Sequence, residues 1–177
     1  MAIETLRPNG AGDETSIPYQ EPFPGSHYDK VDEVTADEYS TTVYVSGESE
    51  ALRDLYALPD SSGVGSINKV TVFFRCHAFA VGGKASASLK AGSTVSDGDE
   101  ESLPDDVWTS YSHEWAANPD DSAAWEWGDI DALQIGVVLR DPGTVGTECT
   151  QVYVEVDYTP SRTPRHAFVN FQGPGIF

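Results

Sequence analysis

Two tryptophans that flank a glutamate are the residues of this chain whose type and spacing could form a ligand platform. Trp125 and Trp127 stand two positions apart in the run AAWEWGDIDALQIGVVLRD, so in an extended strand both indoles point to the same side. A sugar ring can stack on such a pair. The alternative is that the run leads straight into a core strand, with the indoles closing one end of the fold. Core packing is the favoured interpretation, and Trp108 and Trp115 present the same choice.

Two acidic loops could hold calcium, a hard cation that takes several carboxylate and carbonyl oxygens. They read SDGDEES and NPDDS. The stretch DGDEESLPDDVW does not match the helix–loop–helix calcium pattern, because it lacks the central glycine and has Trp108 where the bidentate acid should stand. Solvated loops are therefore predicted, with calcium as the alternative and no other cofactor.

The remaining polar residues form no catalytic or zinc-binding pattern. The histidines are His27, His77, His113 and His166. Only His77 has a cysteine beside it, and neighbours in a strand point to opposite faces. There is no G-x-S-x-G elbow and no glycine-rich phosphate loop. A carboxylate pair for glycoside hydrolysis is defined by a distance, which a sequence does not supply. We expect a protein that is not an enzyme.

The charge balance argues against nucleic acid as a partner. The 177 residues include 10 Lys and Arg against 29 Asp and Glu, a net charge of -19, which repels a phosphate backbone. Such an excess fits work at high salt, a place on the outside of a larger particle, or the collection of divalent cations. Because the acids are scattered along the chain, the first two are favoured. No secretory signal or membrane-spanning run is evident, so a soluble protein made in the cytoplasm, with no membrane partner, is predicted.

Hydrophobic residues recur with a period of two, which is typical of β-strands. The alternating sets are Val70, Val72, Phe74, Cys76 and Ala78; Leu133, Ile135, Val137 and Leu139; and Val152, Val154, Val156 and Tyr158. Turn clusters such as EPFPGS, VGGK and RDPGT separate these runs. Only GESEALRDLYAL hints at a helix, and a short strand at DLYAL fits at least as well. The pattern predicts an all-β, jelly-roll-like antiparallel sandwich.

The two cysteines have opposite parity in their predicted strands. Cys76 lies on the apolar side of its run, whereas Cys149 does not share the parity of Val152. Without a β-bulge, one thiol points inward and the other outward. Inert thiols are favoured over a disulfide.

The composition of the sequence changes after Tyr158. This change divides the chain into a predicted sandwich over 1–158 and a C-terminal arm over 159–177. The arm, TPSRTPRHAFVNFQGPGIF, carries positive charge and aromatic rings against an acidic body. Either it is a disordered terminus, or it docks on a neighbouring subunit, which the aromatic content favours. The residues expected to make that contact are Arg162, Arg165, Phe168, Phe171 and Phe177.

Several segments, in this order, resemble a known family. The segments TLRPNGAGDET, HYDKVDE, NPDDSAAWEWGDIDALQIGV and CTQVYVEVDY are similar to those of the β-sandwich domain in virion structural proteins of tailed bacteriophages and archaeal tailed viruses. The resemblance covers roughly residues 3–158. It implies a non-enzymatic structural protein of the head, its decoration or the tail, and the group has no shared catalytic residues.

Together, the resemblance and the acid excess predict a virion protein of a virus that infects a halophilic archaeon. It is expected to assemble with other virion proteins and with copies of itself. The alternative is a receptor- or carbohydrate-binding module of a viral tail or host-attachment structure, with a host glycan as its ligand. Exposure of the tryptophans would favour that alternative.

Overall fold

The computed structural model describes residues 1–143 and 146–161, which form an antiparallel β-sandwich. The strands in these residues are β1 (Ala2–Leu6), β2 (Gly10–Thr15), β3 (Tyr19–Glu21), β4 (Thr42–Val45), β5 (Leu52–Ala57), β6 (Gly65–Ala78), β7 (Lys84–Ala91), β8 (Thr94–Asp97), β9 (Glu101–Ser102), β10 (Thr109–Trp115), β11 (Gln134–Arg140) and β12 (Thr147–Pro160). The helices are α1 (Trp127–Asp131) and two 3-10 helices, His27–Lys30 and Glu38–Ser40.

The strands form two sheets. In sheet A the order is β10-β6-β12-β4-β3, and β1 also pairs with β12. In sheet B the order is β2-β5-β11-β7-β8, and β9 also pairs with β7. The pairings between these strands are antiparallel. The predicted all-β sandwich is therefore confirmed.

The long strands β6 and β12 lie side by side in sheet A, and their alternating residues contribute to the core. On β6, Val70 and Val72 are fully buried, and β12 contributes Val154 and Val156. Because successive side chains point to opposite faces, the intervening residues of both strands lie on the outer face of sheet A. That outer face carries the candidate site described below.

A β-bulge corrects the prediction for the cysteines. Cys149 and Cys76 are directly opposite each other on β12 and β6, and both are buried free thiols. The register of the pair shifts between Cys149 and Gln151. In a regular strand, residues three positions apart point to opposite faces. The extra residue at the bulge reverses this alternation, so Cys149 and Val152 both point into the core. Burial, followed by the neighbouring Cys149, raises the pKa of Cys76 well above its usual value, which disfavours the reactive thiolate form of Cys76.

The segment before β11 is a short helix and not the extended strand expected around the tryptophans. Glu126 and Asp129 form a reciprocal capping box, each side chain bonding to the backbone of the other. This arrangement satisfies backbone N–H groups at the first turn and starts α1 at Trp127. The hint of a helix near Glu48 was wrong and its alternative was right, because the DLYAL run lies in β5.

None of the helices within residues 1–143 and 146–161 is both long and apolar enough to cross a membrane.

Candidate ligand-binding cleft

The tryptophan pair singled out from the sequence is engaged in packing. Trp125 is 4% exposed and donates its indole N–H to the carbonyl of Trp115 at 3.0 Å. Trp127 is half-buried, donates to the carbonyl of Gly65 at 2.9 Å, and meets the ring of Tyr158 edge to face. Both indoles therefore have partners within the chain, and the two rings do not share an exposed face.

The other two tryptophans differ from each other. Trp115 is buried and donates to the hydroxyl of Ser96 at 3.0 Å. Trp108 is half-buried, and its ring stacks on that of His77 with 5.0 Å between centroids. Of the four, Trp108 is the one that lies beside the candidate site.

The acidic loops bind within the chain. Asp97 pairs with Arg53, Glu100 pairs with Arg140 at 2.7 Å, and Asp120 accepts hydrogen bonds from Ser93 and from the hydroxyl of Thr94. Across the part of the chain that the structure describes, no group of three or more His, Cys, Asp or Glu residues is arranged to hold a metal ion.

The residues predicted to form the assembly arm lie outside the described residues. They are Arg162, Arg165, Phe168, Phe171 and Phe177.

A cluster of polar and aromatic side chains lies on the outer face of sheet A, around His77 at the end of β6. His77 is completely buried. Its Nε2 atom lies 3.1 Å from a carboxylate oxygen of Asp106 and 3.4 Å from the hydroxyl of Tyr39. The ring of Phe79 meets it edge to face with 4.6 Å between centroids, and the ring of Trp108 stacks on it. The aromatic rings therefore exclude water from the imidazole.

Beside this cluster is a concave cleft of about 270 Å³. Three strands, the loop after β6 and the second 3-10 helix contribute its walls. The lining residues are Glu21, Tyr39, Thr42, Tyr44, Phe79 and Glu148. Three of the six are aromatic, and two are carboxylates.

The strand register explains why these residues meet. On β4, Val43 and Val45 point into the core, so Thr42 and Tyr44 point outward. Tyr44 is opposite Glu148 of β12, which in turn is opposite His77 of β6. Three adjacent strands thus place a tyrosine, a glutamate and a histidine in one row.

The edge of the sheet and the second 3-10 helix complete the cleft. Glu21 of β3 lies opposite Thr42, and Tyr19 of the same strand stacks on Tyr44 with 5.1 Å between ring centroids. Tyr39 belongs to the 3-10 helix Glu38–Ser40 and is 57% exposed. The tyrosines therefore present ring surface to solvent at the mouth of the cleft.

Glu148 is the least ordinary group in the cleft. Its residue is 6% exposed, and its Oε1 atom lies 3.1 Å from Nδ1 of His77. Although the two atoms are close, they are not aligned as a hydrogen bond, and neither has another hydrogen-bond partner in the structure. Burial disfavours the charged carboxylate and raises the pKa of Glu148 to about 7.

A second depression, a groove of about 410 Å³, lies on the same outer face. It is lined by Ile3, Lys69, Thr71, Phe73, Ser112, Glu114, Glu155 and Asp157. Beside it, Phe73 stacks almost parallel on Tyr153 with 4.9 Å between centroids, and the guanidinium of Arg7 lies 4.7 Å above the Tyr153 ring. The ring of Tyr153 is thus engaged by internal contacts with both Phe73 and Arg7.

The segment 31–41 separates the groove from the cleft. The side-chain amide of Gln151 donates to the carbonyl of Glu33 at 2.6 Å, and Arg75 pairs with Glu38 at 2.6 Å. Both contacts attach the segment to the outer face of sheet A. The cleft and the groove are therefore distinct sites on one sheet.

A third cavity, of about 300 Å³, lies near the first 3-10 helix. His27 lines it, and Nδ1 of this residue lies 2.6 Å from the buried carboxylate of Asp54. Asp54 also accepts hydrogen bonds from the backbone of Ile17 and the hydroxyl of Tyr56. Because these bonds join three segments of the fold, a structural role explains the burial of the Asp54 carboxylate.

The fold and the cleft together define a β-sandwich with a concave aromatic–carboxylate site on the outer face of one sheet. No protein-family model matches the chain, and no curated protein matches it in sequence.

Among solved structures, similar chains include a C-terminal CBM6 of the laminarinase LamC from Zobellia galactanivorans, at 15% identity and a TM-score of 0.40, covering 88% of this chain and 100% of that one. The CBM22-1 xylan-binding domain of Paenibacillus barcinonensis Xyn10C has 13% identity and a TM-score of 0.44, covering 87% and 94%. Tailspike protein 4 of bacteriophage CBA120 has 13% identity and a TM-score of 0.44, covering 86% of this chain and 19% of that one. Similarities of this size carry no conclusion about function, which must come from the site itself.

Proposed function

We propose that the protein is a carbohydrate-binding β-sandwich module and that its ligand occupies the cleft of Tyr39, Tyr44, Phe79 and Glu148. The observation that carries the proposal is the combination of exposed aromatic rings with a buried carboxylate in one concavity. Tyr39 and Phe79 are 57% and 48% exposed, whereas Glu148 is 6% exposed. An apolar concavity with a few convergent polar groups is the usual form of a small-molecule site.

The chemistry of the cleft suits a sugar better than a purely apolar ligand. Aromatic rings offer flat apolar faces to the C–H face of a pyranose, and those of Tyr39 and Phe79 are partly exposed to solvent at the mouth of the cleft. The hydroxyls of a sugar can donate to the Oε1 atom of Glu148, which has no hydrogen-bond partner in the structure. Supplying a partner to a buried polar atom recovers free energy that desolvation costs the empty site.

The test is a binding measurement on variants of the cleft. Tyr44→Ala removes a ring that lines the site, and Trp108, whose ring lies 5.4 Å from that of Tyr39, supplies an intrinsic fluorescence signal. Soluble glycans should change that fluorescence in the native protein and fail to do so in the variant. Tyr153→Ala is the matched control, because it removes a ring from the same sheet face beside the separate groove. If Tyr153→Ala abolished binding and Tyr44→Ala did not, the site would be wrong.

We propose, as a second candidate, that the module belongs to a virion. The support is the sequence resemblance of TLRPNGAGDET, NPDDSAAWEWGDIDALQIGV and CTQVYVEVDY to virion structural proteins. Removal of residues 161–177 should then yield a folded protein that no longer assembles, which the mass in solution at low and multimolar salt would reveal. Full decoration of particles by the truncated chain would refute the role of the arm.

A further inference from the structure

The carboxylate of Glu148 lacks a fixed cation. Within residues 1–143 and 146–161, the arginines and lysines in ion pairs are bound to other acids, among them Arg53, Arg75 and Arg140. Beside Glu148 stands the imidazole of His77, whose Nδ1 atom is not aligned for a hydrogen bond to Oε1 and whose Nε2 atom faces Asp106. A buried carboxylate oxygen that accepts no hydrogen bond is costly, so a ligand that brings positive charge would offset that cost.

The walls of the cleft are suited to a cation. Tyr39, Tyr44 and Phe79 line it together with a second carboxylate, that of the exposed Glu21. The faces of aromatic rings attract ammonium groups electrostatically, and the attraction grows when water is excluded. Two acids and three rings around one concavity therefore favour an ammonium group over a neutral or anionic one.

We propose that the cleft recognises a sugar that carries an ammonium group, such as a hexosamine, with Glu148 as the counter-ion and the rings of Tyr39, Tyr44 and Phe79 against the sugar. This inference rests on the carbohydrate-binding function proposed above and names the ligand class of the same site. The cleft volume of about 270 Å³ lies just below the roughly 300–1,000 Å³ of sites for drug-sized ligands. It accommodates one sugar residue, with the rest of a chain extending past the exposed Tyr39.

Binding of an ammonium group has a signature that a neutral sugar lacks. An opposite charge beside a carboxylate lowers the pKa of that carboxylate. Because burial holds the pKa of Glu148 at about 7 in the empty cleft, an arriving ammonium group displaces a proton near neutral pH.

Other titratable groups face Glu148 as well. They are His77 on β6, Tyr44 on β4, Glu21 on β3 and Tyr39 from the 3-10 helix, with Asp106 on the far side of His77. Of these, His77 and Glu148 form a close pair, with 3.1 Å between Nδ1 and Oε1. The Glu148→Gln variant separates this pair from the other groups.

The experiment is calorimetric titration of the full chain at pH 7, in buffers of different ionisation enthalpy. The ligands are glucosamine, N-acetylglucosamine, glucose and ethylammonium. We expect glucosamine to bind at least about tenfold more tightly than N-acetylglucosamine, because it forms one charge-assisted hydrogen bond in a desolvated site. Binding of glucosamine should also release protons. In Glu148→Gln that preference and the proton release should both disappear. Glu50→Gln, a change at an exposed glutamate, should leave every value unchanged.

The outcomes separate the two proposals. Equal binding of glucosamine and glucose, or a preference that survives in Glu148→Gln, would overturn the ammonium inference and leave carbohydrate binding intact. Ethylammonium binding as tightly as glucosamine would also overturn it, because the ring would then contribute nothing. Failure of all three sugars, together with longer glycans, would refute carbohydrate binding itself. A melting transition that matches the native protein at pH 5 establishes that Glu148→Gln is folded.

Discussion

Replacing Glu148 by glutamine should change how the stability of the protein depends on pH. Glutamine keeps the shape and the acceptor oxygen of the side chain but cannot ionise. In the native protein, the buried carboxyl has a pKa of about 7, against 4.5 for the ordinary group. The folded state therefore holds a proton that the unfolded state releases at lower pH.

The sign follows from linkage. A folded-state pKa above the unfolded value contributes stability that is fully present below pH 4.5 and is lost as the pH rises through about 7. Because a tenfold change in proton affinity corresponds to about 1.4 kcal/mol, the native protein should lose on the order of 3 kcal/mol across this window through Glu148. The variant should lose none of it. The unfolding free energy of Glu148→Gln minus that of the native protein should therefore increase from pH 4.5 and level off near pH 8.

The assay is urea unfolding followed by tryptophan fluorescence, from pH 4.5 to 8.5 at constant ionic strength. The quantity to plot is the difference in unfolding free energy between the variant and the native protein, because contributions common to both cancel. In a chain of this size, the expected difference at pH 8 corresponds to roughly 6–12 °C in melting temperature. Glu50→Gln supplies the control for changing an exposed glutamate.

A flat difference plot would refute the reasoning. It would mean that Glu148 has the same affinity for protons in the folded and unfolded states. Favourable interactions of the carboxylate would then cancel the effect of its desolvation. A plot that falls with pH would show that a cation stabilises the native carboxylate, contrary to the contacts around Glu148.

Three further changes follow from contacts in the body of the sandwich. Asp54→Ala should lower the unfolding free energy by about 2–4 kcal/mol, because it leaves the backbone N–H of Ile17 and the hydroxyl of Tyr56 without their acceptor. Urea unfolding measures this change, and a value below about 0.5 kcal/mol would contradict the prediction. Gly136→Ala should prevent soluble expression or lower the melting temperature sharply, since a Cβ atom there would lie 1.8 Å from the carbonyl oxygen of Asp54. A melting temperature equal to that of the native protein would contradict this and show that the strand can shift. The melting temperature of the native protein should rise with NaCl into the molar range, because salt screens repulsion among charges that sum to -19; an unchanged melting temperature would mean that repulsion does not limit stability.

The sequence predicts the sandwich because its longest strands have one buried face. In β6, the alternation of Val70, Val72 and Phe74 is complete, and a period of two over this length has one structural explanation. Strands such as β2 and β10 carry too few apolar residues to show the same pattern: β10 reads TSYSHEW. They form because a neighbouring strand offers backbone partners, which is a property of the assembled sheet.

The bulge in β12 shows where the alternation argument stops. One extra residue between Cys149 and Gln151 changes which face every earlier residue of the strand occupies. The same shift directs Glu148 to the outer face and Cys149 to the core. An interpretation that continues the parity of Val152 and Val154 back along the strand therefore places the key carboxylate of the cleft on the wrong side of the sheet.

The cleft itself could not be found from residue types. The chain has 29 acidic residues, and nothing in the local text around Glu148 distinguishes it from an exposed glutamate such as Glu50. What distinguishes it is the row formed by Tyr44, Glu148 and His77, which lie on three strands whose order in the sheet differs from their order in the sequence. Trp125 and Trp127 offered the clearer chemical pattern, yet their rings pack within the fold because large aromatic surfaces are most often buried. In an acid-rich chain, the informative carboxylate is thus one with a buried oxygen that lacks a hydrogen bond, as Glu148 has, since such a group has a free-energy reason to bind something from solution.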